Sequence, residues 1–154
     1  CKSMKLTHGA LAGLVATVPM TIAMKEMFNH LPERDQFPLP PRHITLNIAD
    51  KLNIREKLGE QERNIAVAVS HFGYGSAMGA LYALVEKKLP GPPLVKGITF
   101  GLGVWAGNYL AALPATGLLT SARKHSSART SLMIAAHLIW GTTVALASKG
   151  SSNP

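Results

Sequence analysis

The sequence predicts an all-α integral membrane protein with four transmembrane helices, arranged as a 2+2 parallel repeat of one two-helix unit. Three observations support this fold class. Of the 154 residues, 47% are hydrophobic and only 16% are charged, whereas a soluble domain carries about 25% charge. The charged residues cluster between long apolar stretches. Two of these stretches repeat one signature, in which a histidine follows a small residue and precedes an aromatic residue and a glycine.

Four apolar stretches are each long enough to cross a bilayer, because about 20 residues at ~1.5 Å each cover the ~30 Å hydrocarbon core. Pro19 is expected to kink the first stretch, since proline removes one backbone donor. We expect all four to belong to a single membrane domain that comprises residues 1–154. The predicted spans are residues 7–28, 64–85, 94–119 and 130–148.

The polar loop of residues 29–63 contains a proline-rich turn and then a short amphipathic helix. Ile44, Ile48 and Leu52 fall on one face of that helix. This pattern is typical of an interfacial helix that lies in the membrane surface or covers a helix bundle. A solvated connector helix gives the same pattern, so both interpretations stand at this stage.

The repeated signature occupies residues 70–75 in the second span and residues 136–141 in the fourth. Its histidines, His71 and His137, each lie roughly seven residues into their spans, so both are ~10 Å below the same membrane face. The first and third spans both open with a pair of glycines. The four spans therefore read as one two-helix unit that was duplicated, with the amphipathic helix inserted in the first copy.

Glycines spaced four residues apart supply the expected packing mechanism. They let helix backbones approach closely, which favours association where lipid offers no hydrophobic gain. We therefore expect the spans to form a tight bundle. The predicted packing positions are Gly9, Gly13, Gly75, Gly79, Gly97, Gly101, Gly103, Gly107 and Gly141.

His71 and His137 are candidates for the two axial ligands of one haem or chlorophyll-type pigment, because each offers an imidazole beside small residues. A histidine in lipid is costly unless it faces protein, so the plain alternative is a hydrogen bond across a helix interface. Asn108, Tyr74 and Trp140 are the other candidates for such a pocket or bond. A metal site is not expected, since the spans offer no cysteine and their only carboxylate, Glu26, lies at the end of the first span.

The formal net charge of +8 predicts contact with membrane lipids, because the basic residues lie at the ends of the apolar stretches. Nucleic-acid binding is not expected, since no basic stripe is interleaved with aromatic residues. Basic residues are more numerous in the two longer loops, which places both termini on the outer side of the membrane. The only cysteine, Cys1, is either a lipidation position or a remnant that precedes Met4.

The sequence contains no nucleotide-binding loop, serine-hydrolase elbow, zinc-protease motif or dinucleotide fingerprint. Catalysis therefore has no positive support. The expected function is that of a non-enzymatic structural or accessory subunit, which packs against other integral membrane subunits through its glycine-rich faces. The first alternative is a haem- or pigment-binding electron-transfer protein that uses His71 and His137. The second alternative is a small transporter or channel lined by these histidines and Asn108.

The histidine signatures, the turn of residues 39–45 and the glycine pair of residues 9–13 together carry a family resemblance. On these motifs the chain resembles the YagU-type family of small bacterial inner-membrane proteins, from Gly9 to Ala147. The resemblance implies a multi-pass protein of the bacterial inner membrane. It implies no activity, so no catalytic residue is carried over.

Overall fold

The structure, a computed structural model, describes residues 2–149, with side chains from 5 to 148. In this part the chain forms helices that are joined by short turns. The all-α prediction is therefore confirmed. The α-helices are α1 (Lys2–Asn29), α2 (Pro40–Lys51), α3 (Glu60–Val85), α4 (Pro93–Ala106), α5 (Leu113–Ala115) and α6 (Ser127–Lys149). A π-helix over Gly107–Ala112 joins α4 to α5.

Two of the described helices are long and apolar enough to cross a membrane, over Lys5–Asn29 in α1 and Ser127–Ser148 in α6. The helix α3 has 26 residues, but glycine, serine and histidine dilute its apolar character. The helix α4 has only 14 residues before the π-helix interrupts it. By length and composition alone, the structure thus supports two membrane-crossing helices rather than the four that the sequence predicts.

Two helix ends differ from the predicted span ends for local reasons. The last helix begins at Ser127, earlier than predicted, because the Ser126 hydroxyl accepts a hydrogen bond from the Arg129 backbone N–H at 3.2 Å. Such a bond satisfies one of the free donors at a helix start. The third predicted span ends early, at Ala115, because Gly117 adopts a left-handed φ of 67° and turns the chain.

The four long helical segments form an open row rather than a closed bundle. The helix α1 packs against α3 and α6, and α6 packs in turn against α4. The buried core lies mainly along α1 and α6 and includes Met24, Ala136 and Val144. The backbones of α3 and α4 come close at few places, although Tyr82 of α3 packs on Phe100 of α4 with 5.3 Å between ring centroids. The row therefore leaves a gap between its two outer helices, which only side chains bridge. The tight packing expected from the glycines is therefore confined to the two helix pairs α1–α3 and α4–α6.

Glycines bring α1 and α3 into backbone contact. A Cβ placed on Gly79 would lie 2.6 Å from the Cα of Gly13, and one placed on Gly9 would lie 2.6 Å from the Gly79 carbonyl oxygen. A Cβ on Gly75 would collide with the Thr17 hydroxyl. Only glycine fits at these separations, so the four glycines allow the close approach of the two helices.

The same arrangement joins α4 to α6. A Cβ on Gly97 would lie 2.5 Å from the Cβ of Ala145, and one on Gly101 would lie 3.2 Å from the Cα of Gly141. A Cβ on Gly141 would in turn collide with the Gly97 carbonyl oxygen. Glycines at equivalent places in the two units thus make equivalent contacts.

Gly103 and Gly107 lie on a different face of α4. Gly103 follows Gly101 by two residues, which is a rotation of about 200° around a helix. Both positions are exposed, and a Cβ added at either would meet no atom within 4 Å. The packing predicted for these two glycines therefore has no partner within the described part of the chain.

Candidate functional site

The gap between α3 and α4 contains a cavity of about 210 Å³. Side chains from α1, α3, α4, α6 and the π-helix line its walls, and α2 lies at one end. Most of the lining is apolar. The structure brings all five of the polar or aromatic residues predicted from the sequence to this one cavity. They are His71, Tyr74, Asn108, His137 and Trp140.

His71 is held within the first two-helix unit. Its Nε2 atom lies 3.2 Å from the hydroxyl oxygen of Thr21 on α1. The Thr21 hydroxyl donates a hydrogen bond to the Thr17 carbonyl oxygen at 2.6 Å. Its oxygen therefore accepts the hydrogen bond from the imidazole. His71 thus forms a hydrogen bond across a helix interface, with a partner that sequence reasoning did not single out.

His137 is held within its own helix. Its Nδ1 atom lies 2.7 Å from the Met133 carbonyl oxygen. A carbonyl oxygen only accepts, so Nδ1 carries the proton and Nε2 has a free lone pair. The ring of Tyr109 approaches the imidazole edge-on, with 5.8 Å between ring centroids. His137 therefore differs from His71, because its described hydrogen bond crosses no helix interface.

The aromatic residues of the repeated signature connect the two units. The Tyr74 hydroxyl on α3 accepts a hydrogen bond from the Asn108 side-chain amide at 2.7 Å. The Trp140 indole N–H on α6 lies 3.3 Å from both the Gly13 carbonyl oxygen and the Thr17 hydroxyl on α1. Each histidine of the signature thus contacts its own unit, and each aromatic residue bonds to the other unit.

The π-helix carries Asn108 and Tyr109 to the cavity. Its wider turn brings the Leu113 N–H to the Asn108 carbonyl oxygen. Pro114 follows directly and has no N–H to donate, which loosens the helix before it. Single π-turns inside α-helices are often found at functional sites. No pattern in the sequence indicated this turn, although the proline marks where a helix departs from regular bonding.

The helix α2 crosses the gap and covers one end of the cavity. The Thr45 hydroxyl lies 2.6 Å from the Ser70 hydroxyl on α3. On the other side of the gap, the Asn47 side-chain amide donates to the Leu118 carbonyl oxygen at 2.8 Å. The apolar side chain of Ile44 lines the cavity between these two attachments. The amphipathic helix predicted from the sequence therefore covers the bundle.

Arg129 fastens the segment before α2 to the start of α6. Its side chain is only 4% exposed, and it donates to the carbonyl oxygens of Asp35 and Phe37 at 2.7 and 2.9 Å. Its guanidinium also lies 3.6 Å from the centre of the Phe37 ring. Burial, with the charges of Arg129 and His43 adding to it, lowers the pKa of His125. The sequence places Arg129 directly before the last predicted span and gives no indication of this role.

Two further predictions concern metal binding and lipidation. Among the described residues, no group of three or more histidine, cysteine, aspartate or glutamate side chains is placed to hold a metal ion. Cys1, the candidate lipidation position, lies outside the described residues. Neither observation adds a residue to the cavity site.

Two of the described helices are long and apolar enough to cross a membrane, and the helical segments surround a cavity, so the chain is a small all-helical protein. A family model described as "Protein of unknown function (DUF1440)" matches residues 23–146, and the chain belongs to this family. No curated protein and no solved structure matches the chain. The description of the family names no activity.

Proposed function

We propose that the protein crosses the bacterial inner membrane four times and serves as a non-enzymatic accessory subunit of a larger membrane assembly. In this proposal α3 and the segment from α4 to α5 join the two apolar helices α1 and α6 in the bilayer. The close glycine contacts support it, because they place each of these segments against a helix of membrane-crossing length. The narrower likeness to YagU-type proteins is compatible with the family membership.

The loop contacts support a four-span topology. Arg129 binds the carbonyl oxygens of the segment that precedes α2, and Asn47 binds Leu118 beyond α5. Both longer loops therefore lie at the same end of the helices, as four alternating spans require. By the positive-inside rule this end faces the cytoplasm, and both termini face outward.

The exposed glycines of α4 carry the accessory-subunit proposal. Gly103 and Gly107 repeat the four-residue spacing that joins α1 to α3, yet no atom of the described chain lies where their side chains would be. Thr99 extends this small-residue surface by one turn and is also exposed. This side of α4 fits a membrane-spanning helix of a partner protein.

Site-specific photo-crosslinking in cells tests this docking side. A photoreactive residue at Thr99 should cross-link to one defined membrane protein, and the product should disappear when Gly107→Leu is added. The matched control is a photoreactive residue at Ala147, an exposed small position on α6 away from this surface. Equal products from both positions, or products formed only between two copies of this chain, would contradict the proposal.

A haem- or pigment-binding electron-transfer protein is the second candidate, because His71 and His137 line one cavity. Two features oppose it. The Nε2 atom of His71 is engaged by Thr21, and the cavity of about 210 Å³ is smaller than the ~300–1,000 Å³ of most small-molecule sites. An absorption spectrum of the purified protein tests this second candidate. A Soret band that is abolished by His71→Ala and His137→Ala would favour it.

The position of α2 argues against a transporter, because this helix covers one end of the gap.

A further inference from the structure

Two deeply buried side chains of the cavity have polar atoms without a partner among the described residues. His137 is 7% exposed and Tyr109 is 6% exposed. The Nε2 lone pair of His137 receives no hydrogen bond, and the Tyr109 hydroxyl makes none. Neither atom is fully enclosed by the protein, and both residues line the same cavity. Leaving such groups unpaired costs free energy, which a bound partner would recover.

The two groups are complementary to one small polar group. The His137 Nε2 atom can only accept a hydrogen bond, because the N–H of its ring already donates to the Met133 carbonyl oxygen. The Tyr109 hydroxyl can donate to an oxygen atom. Both rings line the same cavity with 5.8 Å between their centroids, so the two groups belong to one site of a size that a small ligand can fill. The hydroxyl group of such a ligand would donate a hydrogen bond to His137 Nε2, and its oxygen would accept one from the Tyr109 hydroxyl.

The cavity selects a neutral group. No acidic or basic side chain other than the histidines is among the described residues that line it. The charge of Arg129, which lies near Tyr109, is already bound by the carbonyl oxygens of Asp35 and Phe37. A charged head group would therefore lose its water without gaining a counter-charge, which is strongly unfavourable.

The shape of the cavity indicates an attached apolar tail. A volume of about 210 Å³ holds a head group and a few carbon atoms. The helix α2 covers one end, whereas the backbones of α3 and α4 come close at few places along the side. A longer molecule would leave sideways between the Tyr74–Asn108 bond and the Tyr82–Phe100 contact, past apolar side chains such as Met78 and Val104.

We propose that the cavity binds a neutral, hydroxyl-bearing amphiphile, with its head between His137 and Tyr109 and its tail extending through the gap into the lipid. Two kinds of molecule share this chemistry: a monoacylglycerol from the lipid phase and a membrane hydroquinone. This inference rests on the four-span arrangement proposed above, but it does not depend on the accessory role.

Tryptophan fluorescence provides the test, because Trp140 lines the cavity and Trp105 does not. In a Trp105→Phe background, the purified protein in nanodiscs is titrated with a chain-brominated monoacylglycerol and, separately, with a short-chain hydroquinone. Saturable quenching of Trp140 by either compound supports the proposal and identifies its class. Methyl ethers of the same compounds cannot donate a proton to His137, and they should bind at least about tenfold more weakly.

Tyr109→Phe removes a hydroxyl that bonds to no described residue, so the variant should fold and show unchanged helical circular dichroism. It should weaken binding about tenfold. The matched control is Tyr82→Phe, because Tyr82 is equally buried but packs on Phe100 away from the cavity lining. Quenching that never saturates, or that Tyr109→Phe leaves unchanged, would overturn the proposal. Cysteine labelling reports the topology independently, so a failure of the four-span arrangement is distinguishable from a failure of this site.

Discussion

Two glycines on α4 show how one residue type has opposite roles at neighbouring positions. The Cα of Gly101 lies against the backbone of α6, so that even one added carbon would contact His137 and Gly141. Gly103 lies on the exposed side of the same helix, where an added carbon meets nothing within 4 Å. Spacing alone cannot separate these positions, since both glycines belong to pairs four residues apart.

Alanine substitutions should separate the two glycines. Gly101→Ala forces the backbones apart and should lower the free energy of unfolding by about 1–3 kcal/mol. Gly103→Ala should leave it unchanged or raise it by up to about 1 kcal/mol, because alanine favours the helix more than glycine does. Equilibrium unfolding of the purified protein in detergent, followed by circular dichroism, measures both. Equal losses at the two positions would show that the α4–α6 contact is looser than the structure indicates.

Elements that are distant in the sequence are joined by single side chains. Arg129 at the start of α6 holds the segment before α2, and α2 in turn lies over the cavity. The sequence predicts α2 correctly from its apolar face, because a helical period is a local property. It does not predict the clamp, because a buried arginine is recognised only when the carbonyl groups that surround it are known.

Arg129→Met should release this segment. It removes the hydrogen bonds to Asp35 and Phe37 and the stacking on the Phe37 ring. The free energy of unfolding should fall by about 3 kcal/mol, as expected for hydrogen bonds to a charged group. Limited proteolysis should then cut within residues 33–38.

Arg123→Met provides the matched control for the clamp, because Arg123 lies in the same loop region but is exposed. It should change the stability by no more than about 0.5 kcal/mol. If both variants resist proteolysis like the parent protein, the segment before α2 is held by contacts other than Arg129.

At the scale of the whole molecule, the all-helical fold could be predicted from the sequence, but the arrangement of the helices in an open row could not. The four apolar stretches and the glycine pairs repeat along the chain, so local pattern reveals them. The gap between α3 and α4, the π-turn that carries Tyr109, and the Thr21 partner of His71 depend on contacts between distant segments. Hydropathy alone also fails to give the number of membrane spans, because polar residues that line the cavity lower the mean hydropathy of α3.

Single-cysteine labelling tests the four-span topology. In a Cys1→Ser background, Lys57→Cys and Lys124→Cys should react with an impermeant maleimide only after the inner membrane is permeabilised. Lys88→Cys should react in intact spheroplasts, because the turn between α3 and α4 lies at the opposite end of the helices. All three side chains are exposed, so differences in labelling report sidedness rather than burial. Labelling of all three from the same side would exclude the arrangement.

The central place of α1 in the row has a consequence for biosynthesis. Among the described helices α1 is made first, yet one of its two contact faces is completed by α6, the last of them in chain order. The bond from Trp140 to Gly13 joins residues 127 positions apart. During synthesis α1 can pair early with α3, but its other face stays uncovered until α6 has been made. A chain truncated before α6 would therefore expose that face permanently, which makes it a natural target for quality-control proteases.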